Sequence, residues 1–255
     1  MHISAEERRE EIIKAVQSRG KVRVGELSRR FAVTEVSIRN DLDLLAAEGY
    51  LIRTHGGATA PLAAYDNMNK NERYLSNSAA KEALARQVAS LVNDNDTIMM
   101  NAGTTLLYVL RALRHKKNLS IVTNSLQSAA EAASFSGFNV ILLGGQLDSK
   151  YHFTFGQDTV QQLEEYHANK CILSVDGICP TYGLSLYYPN ETNVILKMME
   201  MSKSVIVAAD RTKLFKTTFS RVAPLSSISS LVTNAGEDRH TVTPFTEAGI
   251  SVYEA

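Results

Sequence analysis

Residues 34–45 have side-chain types and a spacing that can hydrogen-bond to the edges of DNA bases. Ile38, Leu42 and Leu45 recur at intervals of four and three residues, which places them on one apolar stripe of a helix. The side chains that point away from this stripe, at about 100° per residue, are Val36, Ser37, Asn40 and Asp43, with Arg39 at the edge. Arginine suits guanine edges, asparagine suits adenine and an apolar side chain can contact a thymine methyl. The segment therefore predicts a helix that reads the major groove.

The elements around this helix are typical of a helix-turn-helix. Thr34 stands at the helix start, where its hydroxyl can cap backbone N–H groups, and Gly49 is placed to end the helix. Two further helices are predicted before it, at 5–19 and 25–32. The short break at Ala32-Val33 joins the second of them to the reading helix.

A small sheet with a wing is predicted beside these helices. Residues 21–24 alternate with period two and can pair with residues 50–54, while His55-Gly56-Gly57 would form the wing turn because glycine tolerates positive φ. Arg53 and His55 would then lie near DNA phosphates. The plainer alternative is a small helical domain with a solvated polar face. Net charge does not decide between them, since residues 1–60 hold ten Lys or Arg against nine Asp or Glu.

The whole chain has the composition of an ordinary globular protein. Its 255 residues favour two domains, and a formal net charge of zero implies no polyanion partner for the chain as a whole. Cys171 and Cys179 fit neither a disulfide scaffold nor a zinc pattern, and none of the six histidines has metal-ligand spacing. We find neither a signal pattern nor an apolar run long enough to span a membrane, so we expect a cytoplasmic protein without a membrane partner.

Changes in composition divide the chain into three predicted segments. Residues 1–58 form a winged helix-turn-helix, and residues 59–77, which become polar and Asn-rich, form a linker. In residues 78–255 predicted helices alternate with short apolar strands, which indicates an α/β domain with a mostly parallel sheet. In such sheets ligands bind beyond the carboxyl ends of the strands.

The predicted strand ends carry residues that could bind a phosphorylated ligand. After the first strand, residues 101–105 (Asn-Ala-Gly-Thr-Thr) open a helix, whose free N–H groups and two hydroxyls can hold a phosphate. Thr123-Asn124-Ser125 repeats this arrangement after the second strand. Later turns carry Gly144-Gly145, Asp176-Gly177 and Asp210-Arg211-Thr212-Lys213. Capping preferences alone favour such residues in turns, so their shared position at one sheet edge is what indicates a site.

Motifs of the common nucleotide-binding and hydrolytic enzymes do not occur in the sequence. There is no Walker sequence, no dinucleotide fingerprint and no Gly-x-Ser-x-Gly elbow. The alternative function is an aldose–ketose or amino-sugar phosphate isomerase, which needs a group poised to move a proton, and Asp176 and Glu191 are the candidates. An isomerase would have no role for the amino-terminal domain. A third possibility is a sensor whose wing docks onto a protein partner.

Over nearly its full length the chain resembles the DeoR family of bacterial transcriptional regulators. In the first domain the motifs are Ser37-Ile38-Arg39-Asn40-Asp41-Leu42 and Arg53-Thr54-His55-Gly56-Gly57-Ala58. In the second they are Ala102-Gly103-Thr104-Thr105, Val122-Thr123-Asn124-Ser125, Leu143-Gly144-Gly145 and Asp210-Arg211-Thr212-Lys213. The family usually has a second arginine where this chain has Asn40. The resemblance implies a winged helix-turn-helix and a sensor domain akin to sugar-phosphate isomerases, with repression of a carbohydrate operon relieved by a phosphorylated sugar.

The resemblance also implies particular residues and partners. Lys81, Asp210 and Lys213 match family positions tied to effector response. The tracts 153–156 and 175–177 are similar to the amino-sugar (N-acetylgalactosamine) branch. We expect double-stranded operator DNA and a sugar phosphate as partners, with no cofactor, no metal and no catalytic residue. We also expect a homo-oligomer of even number, a dimer or a tetramer, because helix-turn-helix proteins usually bind two-fold operators.

Two sets of site residues follow. The DNA-binding set is Thr34, Val36, Ser37, Arg39, Asn40, Arg53 and His55. The effector-binding set is Lys81, Gly103, Thr104, Thr105, Thr123, Asn124, Asp176, Glu191, Asp210 and Lys213. Within it, backbone N–H groups of the first two turns would hold the phosphate, a lysine would supply countercharge, and the carboxylates would accept sugar hydroxyls.

Overall fold

The computed structural model describes residues 4–47, 50–59, 74–234 and 241–255. They fall into two units, residues 1–72 and 73–255. The first unit has its own apolar core, and the second has two. The predicted helix end at Gly49 lies outside the described residues, as do residues 60–73 of the predicted linker.

Three helices and three short strands form the first unit. They are α1 (Ala5–Arg19), β1 (Lys21–Arg23), α2 (Val24–Phe31), α3 (Glu35–Ala47), β2 (Ile52–Thr54) and β3 (Gly57–Thr59). Helix α1 starts with a capping box between Ser4 and Glu7 and ends at Gly20, whose φ is 74°. Helix α2 ends at Ala32, whose φ of 52° gives the tight turn into α3. The three predicted helices are confirmed.

The apolar stripe of α3 forms the centre of this unit. Ile38, Leu42 and Leu45 are buried in one cluster with residues of α1 and α2. An ion pair is buried beside them, with 2.6 Å between Arg8 Nε and Asp41 Oδ2. Because removing one partner of a buried pair is strongly destabilising, this contact fixes how α1 lies against α3.

The strand pairing of the first unit differs from the prediction. Strand β1 pairs with β3, and β3 also pairs with β2, so the 50–54 segment does not contact β1 as predicted. The wing turn at His55-Gly56 brings β3 back between the other two strands. The predicted positive φ at the wing turn is wrong, because neither Gly56 nor Gly57 has one. Gly57 instead allows a close approach of two strands: a Cβ there would lie 1.9 Å from the carbonyl oxygen of Val22.

The second unit alternates helices and strands through most of its length. In chain order its elements are α4 (Ser78–Ser90), β4 (Thr97–Met100), α5 (Thr104–Ala112), β5 (Ser120–Thr123), α6 (Leu126–Ala132), β6 (Asn139–Leu142), β7 (Gln146–Asp148), β8 (Phe153–Phe155), α7 (Gln157–Leu163), β9 (Ala168–Leu173), β10 (Gly177–Cys179), β11 (Gly183–Leu186), α8 (Thr192–Glu200), β12 (Ser202–Ala208), β13 (Ser220–Ala223), β14 (Ser230–Thr233), α9 (Thr243–Glu247) and β15 (Ser251–Glu254). Short 3-10 turns occupy Pro189–Glu191, Arg211–Lys213 and Leu225–Ser227.

Seven parallel strands form the main sheet of the second unit. Their order is β15-β14-β12-β9-β4-β5-β6, which confirms the predicted mostly parallel α/β fold. Strand β9 lies in the middle, between β12 and β4, and β5 follows β4. Because the strands are parallel, the turns after β5, β4, β9 and β12 lie side by side at one edge of the sheet.

Alternate residues of the strands enter two apolar cores, one on each face of the sheet. In β4, Met99 joins the core that contains Val194 of α8. Its neighbours Ile98 and Met100 join the core that contains Leu84 of α4. A three-stranded antiparallel sheet (β10-β11-β13) and a hairpin (β7-β8) complete the unit. Within the parts of the chain that the structure describes, none of the helices combines the length and apolarity needed to cross a bilayer.

A substitution at Gly57 tests the strand order of the wing. Gly57→Ala should lower the stability of the first unit by about 1–3 kcal/mol, because its Cβ would overlap the β1 backbone. Gly56→Ala is the matched control, since nothing lies within 4 Å of a Cβ there. Urea unfolding of the full chain, followed by circular dichroism, measures both. Equal stability of the two variants would contradict the central position of β3.

Candidate functional site

Helix α3 presents a continuous exposed face, as predicted for a reading helix. Val36 is 66% exposed, and Arg39, Asn40 and Asp43 are also exposed. The predicted cap is confirmed, because the Ser37 N–H donates to Thr34 Oγ1 at 3.2 Å. This face has the dimensions and the chemistry of a helix that enters a major groove.

The arginines next to this face are already paired with carboxylates. Arg39 lies 3.1 Å from Glu35, one turn earlier in α3. Arg53 of β2 lies 2.6 Å from Asp43 and also donates to the carbonyl of Gly57 at 2.6 Å. Arg53 therefore holds the wing hairpin against α3, while His55 is exposed at the wing turn. Sequence reasoning placed Arg53 near phosphates and missed Asp43 as its partner, because residues ten apart show no periodic signal.

A second site is organised around Glu191 in the second unit. This side chain is buried, and its Oε1 accepts hydrogen bonds from the Ala102 N–H at 3.0 Å and from Asn124 Nδ2 at 3.1 Å. One carboxyl thus joins the turn after β4 to the turn after β5. Two sequence-predicted residues, Asn124 and Glu191, are in direct contact.

The environment of Glu191 favours its neutral form. Burial raises its pKa from the ordinary 4.5 to about 7, and the nearby Asp176 carboxylate adds to this shift. The hydrogen bonds from Asn124 and Ala102 act in the opposite direction but are weaker. No cation forms an ion pair with Glu191 among the described residues, so the carboxyl titrates near neutral pH rather than staying ionised.

The turn after β4 leads into a helix that starts without a side-chain cap. No side chain caps α5 at Gly103, and the N–H groups of Thr104 and Thr105 have no acceptor in the described part of the chain. A Cβ on Gly103 would lie 2.1 Å from Ser174 Oγ, so glycine is needed for the turn to pack against the end of β9. Two free N–H groups at the start of a nine-residue helix form a place where an anion can bind.

The turn after β5 differs, because the N–H groups of Ser125, Leu126 and Ser128 already have acceptors. The Ser125 N–H donates to Thr123 Oγ1 at 3.1 Å, and the Leu126 N–H donates to the carbonyl of His152 at 3.0 Å. Ser125 in turn caps α6 through the Ser128 N–H. Thr123 and Asn124 are fully buried. Of the two predicted phosphate-binding turns, the one after β4 has both of its first helical N–H groups free in the described part of the chain, whereas the first N–H group of α6, that of Leu126, already has an acceptor.

A charged cluster lies at the turn after β12. Asp210 is buried and accepts hydrogen bonds from the N–H and the hydroxyl of Thr212. Lys213 and Lys216 are half-buried. Burial and the charge of Lys213 lower the pKa of Lys216, while Asp210 and Asp176 oppose that shift. Lys213, Asp210 and Asp176 are therefore each within electrostatic reach of Lys216, which sequence reasoning missed.

Two other predicted effector residues have structural contacts. Asp176 Oδ2 accepts the Tyr187 N–H at 3.0 Å. Its charge raises the pKa of Glu191 and opposes the lowering of the Lys216 pKa, so it is within electrostatic reach of both side chains. Lys81 is buried in α4, and its Nζ donates to the carbonyl of Ser76 at 2.7 Å. Lys81 thus anchors the segment that precedes α4.

The pKa of Glu191 makes the stability of the second unit depend on pH. A folded-state pKa near 7 means that the folded protein keeps a proton that the unfolded chain loses near pH 4.5, so stability should fall as pH rises between these values. The full loss is on the order of 3 kcal/mol. Glu191→Gln should remove this dependence and be the more stable protein at pH 8. Thermal unfolding from pH 5 to 8 measures it, and parallel curves for the two proteins would show that Glu191 is not a buried titrating acid.

Known proteins match both units. Residues 8–62 match the DeoR-like helix-turn-helix domain, and residues 76–235 match the DeoR C terminal sensor domain. The HTH-type transcriptional regulator YulB of Bacillus subtilis (strain 168) is 35% identical over 248 residues, which cover 96% of this chain and 95% of that protein. The Glycerol-3-phosphate regulon repressor of Escherichia coli (strain K12) is 30% identical over 224 residues, 88% of each chain.

One solved structure shows a distant likeness. Ribose 5 phosphate isomerase A from Neisseria gonorrhoeae is 18% identical, with a TM-score of 0.40 over 52% of each chain, which is too remote to carry an argument about function. The two domain matches and the near full-length relatives establish the family of this chain. The chain belongs to the DeoR family of transcriptional regulators, and it is a DNA-binding regulator rather than an enzyme.

Proposed function

We propose that this regulator represses a carbohydrate-metabolism operon and releases its operator when a phosphorylated sugar binds to the second unit. The observation that carries the proposal is the edge of the sheet where an uncapped helix start, a pair of lysines and a set of buried oxygen acceptors occur together. A phosphate needs N–H donors and positive charge, whereas sugar hydroxyls need acceptors. Both requirements are met by neighbouring turns.

The roles within this site follow from which groups are free. The N–H groups of Thr104 and Thr105 hold the phosphate, and Lys213 and Lys216 supply the countercharge. Asp176 and Asp210 accept sugar hydroxyls. The N–H groups of Ser125 and Leu126 in the turn after β5 already have acceptors, so this turn contributes side chains instead.

The regulator acts in the cytoplasm, where its operator lies, as a dimer or tetramer. Two reading helices joined in one oligomer bind two half-sites, and the second contact is strengthened by its high effective concentration. The effector changes DNA affinity only if it binds differently to the DNA-bound and the free arrangement.

Substitutions in α3 test the reading helix. Asn40→Ala should cost about 1–3 kcal/mol of discrimination between operator and unrelated DNA, because it removes a base contact. Asp43→Asn is the matched control on the same face: it removes a negative charge and frees Arg53, so binding to all DNA sequences should tighten. Gel shifts with operator and random duplexes measure both. Unchanged operator affinity of a folded Asn40→Ala protein would refute the assignment of this face.

Substitutions in the second unit test the effector site. Lys213→Ala and Asp210→Ala should bind operator as the parent protein does but lose release by sugar phosphate at least tenfold, on the order expected for one lost charged contact. Lys203→Ala, an exposed lysine on β12, is the control. Gel shifts across hexose 6-phosphates, pentose 5-phosphates and glycerol 3-phosphate measure the release. If none of these compounds releases the operator from the parent protein, the proposed function is wrong.

A further inference from the structure

We propose that the side chain of Asn124 makes the sensor selective for effectors that carry a hydrogen-bond donor, a hydroxyl group, at one fixed position of the sugar. This rests on the proposed function and assigns Asn124 a role other than the phosphate contact predicted from the sequence.

The orientation of the Asn124 amide is fixed by its neighbours. Nδ2 donates to the carbonyl of Thr154 and to Glu191 Oε1, each at 3.1 Å. Rotating the amide by half a turn would bring Oδ1 against the Thr154 carbonyl, and two acceptors cannot share a hydrogen bond. The NH2 group therefore faces these two oxygens.

The Asn124 oxygen is left without a donor. Asn124 is fully buried, and its Oδ1 has no hydrogen-bond partner among the residues that the structure describes. Nearby donors are engaged elsewhere: the hydroxyl of Thr154 donates to the carbonyl of Leu143 at 2.7 Å, and the Ser125 N–H donates to Thr123. Buried polar atoms almost always have a partner, so this unpaired oxygen needs one. Because Asn124 also contacts Glu191 at the edge of the sheet where we propose that the effector binds, we assign that partner to the effector.

The chemistry of this acceptor selects the group that it binds. An amide oxygen accepts but does not donate, so it repels a phosphate oxygen and pairs with a hydroxyl or an amine. This separates the two ends of the effector. The phosphate binds at the α5 start and the lysines, and the hydroxyl-bearing carbon chain extends to Asn124. A site built around a buried acceptor rejects an analogue that cannot donate, because the acceptor is then left unpaired.

Changes in the ligand test this selectivity without altering the fold. The parent compound is whichever of D-glucose 6-phosphate, D-galactose 6-phosphate and D-ribose 5-phosphate binds most tightly by calorimetry. Its single-position deoxy and deoxyfluoro analogues remove the donor, and fluorine keeps the size and a weak acceptor. At one carbon both analogues should bind on the order of 10- to 100-fold more weakly, while an amino group at that carbon should retain binding.

A protein variant then links the effect to Asn124. Asn124→Ala should bind the parent compound and the two analogues at that carbon with equal affinity, which a merely structural role would not produce. Ser128→Ala is the matched control and should keep the discrimination. Ser128, in the next helix, is also buried, and its hydroxyl oxygen has no partner in the ranges that the structure describes.

The outcomes separate this inference from the proposed function. If the wild-type protein binds a sugar phosphate but treats all its deoxy analogues alike, the inference is wrong and an ordered water satisfies Oδ1. Discrimination that persists in folded Asn124→Ala overturns it as well. If no sugar phosphate binds the wild-type protein, the proposed function itself fails, and the inference fails with it.

Discussion

The sensor site depends on one buried carboxyl group. Glu191 joins the turns after β4 and β5, because its oxygen accepts hydrogen bonds from Ala102 and Asn124. Burial destabilises the charged form of this carboxyl group, and its pKa is raised for that reason. The same contact orients the Asn124 amide and holds the Gly103 turn in place. Loss of this group would therefore disturb together the two turns to which we assign the phosphate and hydroxyl contacts.

The two units place their functional groups in different ways. In the first unit the reading face follows directly from helical periodicity, because Ile38, Leu42 and Leu45 bury one side of α3 and leave the other in solvent. In the second unit the site is assembled from turns that are up to about a hundred residues apart in sequence. Parallel strands make this possible, since their carboxyl ends meet at one edge whatever the length of the connections.

Features that depend on local sequence patterns could be predicted, whereas features that depend on contacts between distant residues could not. The α3 stripe, the Thr34 cap and the parallel strands are local or periodic signals, and they were predictable. Three other features could not be predicted: the central place of β3, the pairing of Arg53 with Asp43, and the electrostatic effect of Asp176 on Lys216. Each depends on long-range packing, such as the absence of a Cβ on Gly57, that leaves no repeating pattern in the chain.

The ion pairs on the reading face have a consequence for the thermodynamics of DNA binding. Arg39 and Arg53 already have carboxylate partners, so a DNA phosphate that contacts either one replaces an existing anion. The DNA releases counterions when the protein binds, but each freed carboxylate attracts cations from solution. The net number of ions released is therefore smaller. The dependence of affinity on salt concentration is accordingly shallower than the number of arginine–phosphate contacts would suggest.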